Sequence, residues 1–341
     1  MAFPSATWTR LASETRLQRS SQCVSVLGSA LYIFGGEVLP REPVDNHLHA
    51  IELGENSRNG VTVKTLDAPS VAPTPRVGSA ATSIQDAMYL FSGRGGVSMG
   101  PMEEDGALWK YSSSTSQWSL VAPADPSAPF PKGRSYHVMA SNGVDEVFVH
   151  AGCPEKGRLS DLWSFNVASR AWTKLPDAPE PARGGTSLAH HRGKLYRMNG
   201  FDGKDEQGGS LDVFDTHARA WTTLSFPADG KQAPEARSVA TLMAVPVGEQ
   251  GFLVTMFGER DPSSLGHAGA GKMLGDVWAF DLGAGTWSAV KPANDAPPPR
   301  GWFDAALLTE PSGRPSIIVH GGLAEDNTRL GDVWRLDLGD A

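Results

Sequence analysis

The sequence predicts an all-β protein, a six-bladed β-propeller in one domain, with the ring closed by pairing the N-terminal strand with the last blade. Three observations predict it. A short motif beginning with arginine recurs six times, and an apolar strand ending in glycine follows each copy. Strands that open with tryptophan close the repeats, and one such strand stands alone near the N-terminus. Like units recurring at intervals of tens of residues indicate an array in which no unit buries both of its faces alone.

The first strand of each repeat follows Arg19, Arg76, Arg134, Arg183, Arg237 or Arg300, at steps of 49 to 63 residues. The second strand ends in glycine: LYIFGG at Gly36, MYLFSG at Gly93, VFVHAG at Gly152, LYRMNG at Gly200, VTMFG at Gly258 and IIVHGG at Gly322. Short β-branched and aromatic runs bounded by Gly, Pro and Asp are strands, not helices. The terminal glycine permits positive φ and close backbone approach near an axis. A third strand type follows as LWKY at Leu108, LWSF at Leu162, LDVF at Leu211, VWAF at Val277 and VWRL at Val333, with LHAIEL from Leu48 in the same place in the first repeat. The fourth opens at Trp118, Trp172, Trp221 or Trp287, a side chain large enough to cover the face between adjacent sheets. Four such strands in about 50 residues resemble the kelch blade. The blades are expected near 19–66, 76–122, 134–176, 183–225, 237–291 and 300–338, the last completed by the strand Trp8–Leu11. That pairing removes an exposed edge and leaves nothing over for a second domain.

Composition excludes several function classes. With 40% hydrophobic and 20% charged residues the chain has ample material for a core, and its 38 Gly, 25 Pro and 10 Trp suit turns and aromatic anchors. A formal net charge of −8 argues against a nucleic-acid partner. No run of 18 apolar residues exists to span a membrane, and the start MAFPSATWTRLAS lacks the pattern of a secretory signal. Two cysteines, Cys23 and Cys153, and no N-x-Ser/Thr sequon fit a reducing, cytoplasmic location. A homo-oligomer stays open.

Function in a propeller lives in the loops at one end of the channel. The longest loop between second and third strands runs from Gly258 to Gly271 and holds Glu259, Asp261 and His267 within nine residues. Two carboxylates and an imidazole form the ligand set of a facial ferrous site, although surface loops also carry such residues as turn formers. The six repeated arginines read either as ties to neighbouring carbonyls and carboxylates or as a cationic mouth. Arg94 and Arg158 break the repeat, and their donor forks suit a sulfate, phosphate or carboxylate. Trp302, Tyr136 and His137 stand where other repeats carry small residues, and they wall a pocket or fill the channel. Cys153 reads as a small buried residue.

At the 258–271 loop the chain resembles the specifier proteins of glucosinolate breakdown: the epithiospecifier, thiocyanate-forming and nitrile-specifier proteins. The resemblance spans the chain and rests on FGGE at Phe34, the arginine of FSGR at Arg94, RSYHVM from Arg134, PRGW from Pro299 and the FGE…DP…H-x-G-x-G loop. It implies ferrous iron held by a Glu, an Asp and a His spaced four apart. Glu259 and His267 keep that span, but Ser263 occupies the middle place and Asp261 lies two residues early. Either the loop bulges to carry Asp261 in, or the site is weakened or lost. It further implies sulfate contacts from Arg94 and Arg158, and a pocket wall from Trp302. The implied reaction is Fe(II)-assisted fragmentation or rearrangement of a thiohydroximate-O-sulfate to a nitrile, epithionitrile or thiocyanate, by an enzyme of the lyase or isomerase type. Related chains outside plants imply another small anionic, sulfur-containing or secondary-metabolite substrate. Two alternatives stand beside this one: a metal-independent isomerase or cyclase of secondary metabolism, and a scaffold that binds a protein on its loop face.

Overall fold

The computed structural model describes residues 6–54, 61–247, 249, 251–310 and 312–338. Residues 1–5 of the start read above lie outside them. Six four-stranded antiparallel sheets account for the repeats. In chain order they hold Cys23–Leu27, Ala30–Phe34, Leu48–Glu52 and Val63–Leu66; then Ala80–Ile84, Ala87–Phe91, Leu108–Ser112 and Gln117–Val121. The third and fourth hold Val138–Ser141, Glu146–His150, Leu162–Asn166 and Ala171–Leu175, then Ser187–His191, Lys194–Met198, Ser210–Asp215 and Ala220–Ser225. The fifth holds Thr241–Val245, Phe252–Met256, Val277–Asp281 and Thr286–Ala289. The sixth holds Asp304–Thr309, Pro315–His320 and Asp332–Leu338, with Ala6–Ser13 paired to the last of these. Among the described residues no helix is long and apolar enough to cross a membrane.

Burial follows position in the sheet. Second strands such as Phe252–Met256 and Pro315–His320 are buried throughout, so they read as continuous apolar runs. First strands such as Ala80–Ile84 are half-open to a central channel, and fourth strands such as Ala220–Ser225 are largely exposed. The first strands touch in chain order, and Asp304–Thr309 returns to touch Cys23–Leu27.

Two cycles of backbone hydrogen bonds join the sheets. In one, the N–H of the glycine ending each second strand donates to the carbonyl of the next repeat's arginine, from Gly36 to Arg76 (2.9 Å) round to Gly322 to Arg19 (2.9 Å). These glycines are required. At Gly152, with φ of 97°, an added Cβ would lie 2.6 Å from Cβ of His137. In the other cycle each residue two places after the arginine donates to its predecessor: Ser21 to Trp302, Gly78 to Ser21, Tyr136 to Gly78, Gly185 to Tyr136, Val239 to Gly185 and Trp302 to Val239, at 2.8–3.1 Å.

The arginines themselves are buried ties. Each guanidinium donates to the carbonyl just before a second-strand glycine, as Arg134 does to Ala151 (3.0 Å) and Arg300 to Gly321 (2.9 Å). Four also hydrogen-bond to an acid at or just before the start of the third strand, Arg76 with Glu104, Arg134 with Asp161, Arg237 with Asp276 and Arg300 with Asp332, and Arg19 lies 3.9 Å from Asp45. The acid then accepts the indole N–H of the third-strand tryptophan, at 2.6–2.9 Å for Trp109, Trp163, Trp278 and Trp334. Two sheets vary the device. In the first, Arg19 meets the His49 ring (2.8 Å); in the fourth, Asp212 replaces the tryptophan and pairs with the strand arginine Arg197 (2.9 Å). Of the two readings of the six arginines, the structure shows the tie.

Fourth-strand tryptophans reach back onto the preceding sheet. Trp118 meets Phe34 at 5.4 Å between centroids, Trp172 meets Phe91 at 5.8 Å, and Trp8 meets Phe257 at 5.9 Å. Trp8 therefore does for the sixth sheet what Trp118 and Trp172 do for theirs. Trp8→Ala is expected to cost about 3–5 kcal/mol in chemical denaturation, the range for large-to-small changes of buried tryptophan. A loss under about 1 kcal/mol would show that the seam is held elsewhere.

Candidate functional site

The second cycle of hydrogen bonds forces a left-handed backbone on every member. Ser21, Gly78, Tyr136, Gly185, Val239 and Trp302 have φ between 45° and 62°. For Val239 and the two aromatics that conformation is costly and persists only because the cycle fixes it. It also turns these side chains toward the axis. Gly78 is needed here for a second reason, since a Cβ on it would lie 2.8 Å from the Tyr136 ring. Tyr136 and Trp302 pack edge to face at 5.2 Å between centroids. They line both the channel, of about 410 Å³, and a mouth cavity of about 500 Å³ above it. Trp302 thus walls a pocket and partly fills the channel.

Arg94 and Arg158 stand in the mouth cavity. Arg94 donates to Oγ of Ser135 (2.9 Å) and to the carbonyls of Met99 (3.1 Å) and Pro154 (2.7 Å). A guanidinium has about five N–H donors, so about two remain for a ligand. Arg158 lies over the Phe201 ring at 4.9 Å, and its Nε is buried with no partner. Among the described residues it makes no hydrogen bond or close ion pair, and the Asp202 carboxylate acts on it only through charge.

The 258–271 loop is a hairpin. Glu259–Arg260 pairs with Lys272–Met273, and a single 3-10 turn spans Gly266–Ala268. Glu259, Ser263 and His267 all face the mouth cavity. The period of four is therefore kept in direction, but its middle place holds a hydroxyl. Asp261 is the correction to the expected ligand set. Its side chain is 77% exposed, lies 3.6 Å from Nε of Arg260, and does not line the cavity. Two residues past Glu259 the loop has already turned outward at φ of 49°, so no bulge brings Asp261 in.

Glu259 is itself committed. One carboxylate oxygen accepts the N–H of Gly271 (2.6 Å) and the other the indole N–H of Trp302 (3.2 Å). Burial raises its pKa, against the pull of those two donors. Burial lowers that of His267, as do the charges of Arg41, Arg94 and Arg158, so the ring is neutral at pH 7. It stacks on Tyr136 at 5.6 Å and meets Trp302 at 5.7 Å. Among the described residues no three His, Cys, Asp or Glu groups gather as a metal site. The residues present do not fit the expected ferrous ion.

Sequence reasoning missed Glu206 and Arg41, which also line the cavity. Glu206 sits in the loop after the fourth sheet's second strand, paired through its backbone with Phe201. One carboxyl oxygen accepts the hydroxyl of Ser238 (3.2 Å) while the other is buried without a partner. Burial is the main cause pushing its pKa up to about 8. The stretch FDGKDEQGG carries several acids, and nothing in their spacing singles this one out. Cys153 also lines the cavity, and burial raises its thiol pKa.

A profile of the KLHDC2/KLHL20/DRC7 Kelch-repeats domain matches residues 20–258. A Thlaspi arvense protein named N-(sulfonatooxy)prop-2-enimidothioate sulfolyase is 27% identical over 340 residues, covering 93% of this chain and 91% of its own length. The leucine-zipper-like transcriptional regulator 1 homolog of Drosophila melanogaster is 25% identical over 97% of this chain, which spans 32% of that protein. Among solved structures, that of YjhT matches with a TM-score of 0.70 at 15% identity, covering 95% of this chain and 96% of that one, a likeness of fold alone.

The placement of Asp261 has a direct check. Asp261→Asn, which tolerates the left-handed backbone, should change unfolding free energy by no more than about 0.5 kcal/mol. An anaerobic ferrous titration should be indistinguishable from that of the unaltered chain. A loss of stoichiometric binding in the variant would show that Asp261 does reach the site.

Proposed function

The chain belongs to the kelch-repeat family, and from that premise we propose that it is a small-molecule enzyme of the lyase type, releasing an oxyanion from its substrate in the mouth cavity. One observation carries the reading: the unpaired guanidinium of Arg158, held against Phe201 in a cavity that also contains the half-committed Arg94. Arg158 is half-buried, and its Nε is closed off from water with no acceptor in the protein, so a ligand that supplies one is favoured there. Sulfate is the oxyanion to which the name of the Thlaspi relative points.

In this reading Arg158 and the free N–H groups of Arg94 take up negative charge as the leaving group departs, and they do so from fixed positions. Tyr136, Trp302 and His267 form an aromatic wall against the rest of the substrate and limit water. Glu259 serves that wall by accepting the Trp302 N–H. No step is routed through ferrous iron, because the donor set does not assemble. A thiohydroximate-O-sulfate going to a nitrile, epithionitrile or thiocyanate is the specific substrate and product set implied by the resemblance to the specifier proteins. We take the six sheets as six blades of a ring closed by Ala6–Ser13. The cyclic hydrogen bonds and the Trp8–Phe257 contact support that count.

A second reading, a scaffold that binds a protein partner, is favoured by exposed Val38, Leu39, Val97 and Leu265. These side chains sit on the loops that bring Arg41, Met99 and His267 to the cavity.

The test generates a thiohydroximate-O-sulfate with a thioglucosidase in the presence of the protein. The unaltered chain should divert product from isothiocyanate, and Arg158→Ala should lower the diverted rate by about 100-fold to 1,000-fold, as for loss of one transition-state donor. Isothiocyanate as the sole product, or an Arg158→Ala variant as fast as the parent, overturns the lyase reading.

A further inference from the structure

Two walls of the mouth cavity differ in kind. Arg94 and Arg158 come from the loops after the second and third sheets' second strands, whereas Glu206 and Glu259 come from the corresponding loops of the fourth and fifth. Glu259 has a donor on each carboxylate oxygen. Glu206 has only the Ser238 hydroxyl on one oxygen, and the other is closed off without a partner. A carboxylate ionised in that setting would be an uncompensated charge, whereas a carboxylic acid would not. The same short loop carries Phe201, under the Arg158 guanidinium, and Glu206, bridged to Phe201 through the backbone.

We infer that Glu206 tunes the oxyanion site: the cavity binds an anion at Arg158 more tightly while the Glu206 carboxyl is neutral, and more weakly when that carboxyl ionises. The inference rests on the reading of Arg94 and Arg158 as an anion site and adds its regulation. Anion binding then takes up a proton wherever Glu206 is ionised in the empty protein.

The surroundings set the pH window. The charges of three carboxylates, Glu259 and Asp261 on the loop neighbouring Glu206 and Asp202 on its own, each oppose its ionisation. Burial is the largest cause holding its pKa up at about 8, with Ser238 pulling the other way. Across the cavity stand Arg41, Arg94, Arg158, the exposed Glu155, His267 and Cys153. His267, with its pKa lowered, gains charge only on the acid side, and the raised thiol of Cys153 loses its proton on the alkaline side of the ordinary thiol range. A change centred near pH 8 therefore belongs to Glu206.

The probe is inorganic sulfate at constant ionic strength, titrated by calorimetry from pH 6.5 to 9 on the full chain. Sulfate affinity should fall about fivefold to tenfold between pH 7 and pH 9, within the usual range for coupling between two sites. Near the midpoint the heat should vary with the ionisation enthalpy of the buffer, reporting proton uptake. Glu206→Gln keeps the shape and the Ser238 contact and should flatten the profile at the high-affinity level. Ser238→Ala removes the bond that favours the ionised form, so the midpoint should move to higher pH. A pH-independent affinity in the unaltered chain, or a Glu206→Gln profile that still falls near pH 8, overturns the tuning while leaving the anion site standing. Absence of sulfate binding at every pH overturns the anion site and the tuning together.

Discussion

Six backbone N–H groups, each donating to a carbonyl of the neighbouring repeat, tie the inner ends of the sheets into a cycle around the channel. Each donor sits on a residue in the left-handed region, two places after a buried arginine. Closing such a cycle fixes the backbone at six places at once, so it can form only when all the sheets are docked. The cost of the strained conformation at Val239, Tyr136 and Trp302 is spread over a structure that over-determines it. Because the left-handed turn swings the side chain toward the axis, the identity of those six residues decides how much of the channel end is filled. Ser21, Gly78 and Gly185 leave room, while Tyr136 and Trp302 occupy it.

The arginines make that cycle affordable. A guanidinium with no solvent exposure, as in Arg134, Arg237 and Arg300, would be destabilising by several kcal/mol if left unpaired. Its donors are therefore distributed between a carbonyl of the second-strand turn and an acid that is itself anchored by a tryptophan N–H. For Asp332, burial alone would raise the pKa. The Arg300 hydrogen bonds and charge, with the Trp334 N–H, outweigh it and leave the group below its ordinary value. The seam between the sixth and first sheets carries a further tie. Asp304 accepts the N–H groups of Val24 and Ala305 (both 2.8 Å), although burial still pushes its pKa up to about 7.

Much of this was legible in the sequence because the signals are local and repeated. Arg-x before a strand and glycine after an apolar run recur in every sheet, tryptophan at the fourth strand recurs in all but the first, and Arg94 and Arg158 were visible as the arginines that the repeat does not explain. What was not legible depends on direction within a loop. Two carboxylates and a histidine in nine residues looked like a ligand set, but the Glu259–Met273 pairing fixes which way the chain leaves the hairpin. From there Ser263 and His267 turn in and Asp261 turns out. Glu206 was invisible for another reason. Its importance lies in what it lacks, a second hydrogen-bond partner, and only packing against Ser238 and Phe201 reveals that.

The cavity's chemistry follows from the same economy of pairing. Across the ring nearly every buried arginine has an acid, and nearly every buried acid has a donor on each oxygen. Arg158 and Glu206, both half-buried, depart from these habits, and Phe201 links them, its ring under Arg158 and its backbone bridged to Glu206. Burial and the neighbouring carboxylates hold the Glu206 proton on, against the pull of the Ser238 hydroxyl. Two unmet groups kept apart in one pocket leave a net positive site while the acid holds its proton. That arrangement gives a small oxyanion a charge partner that the protein itself withholds.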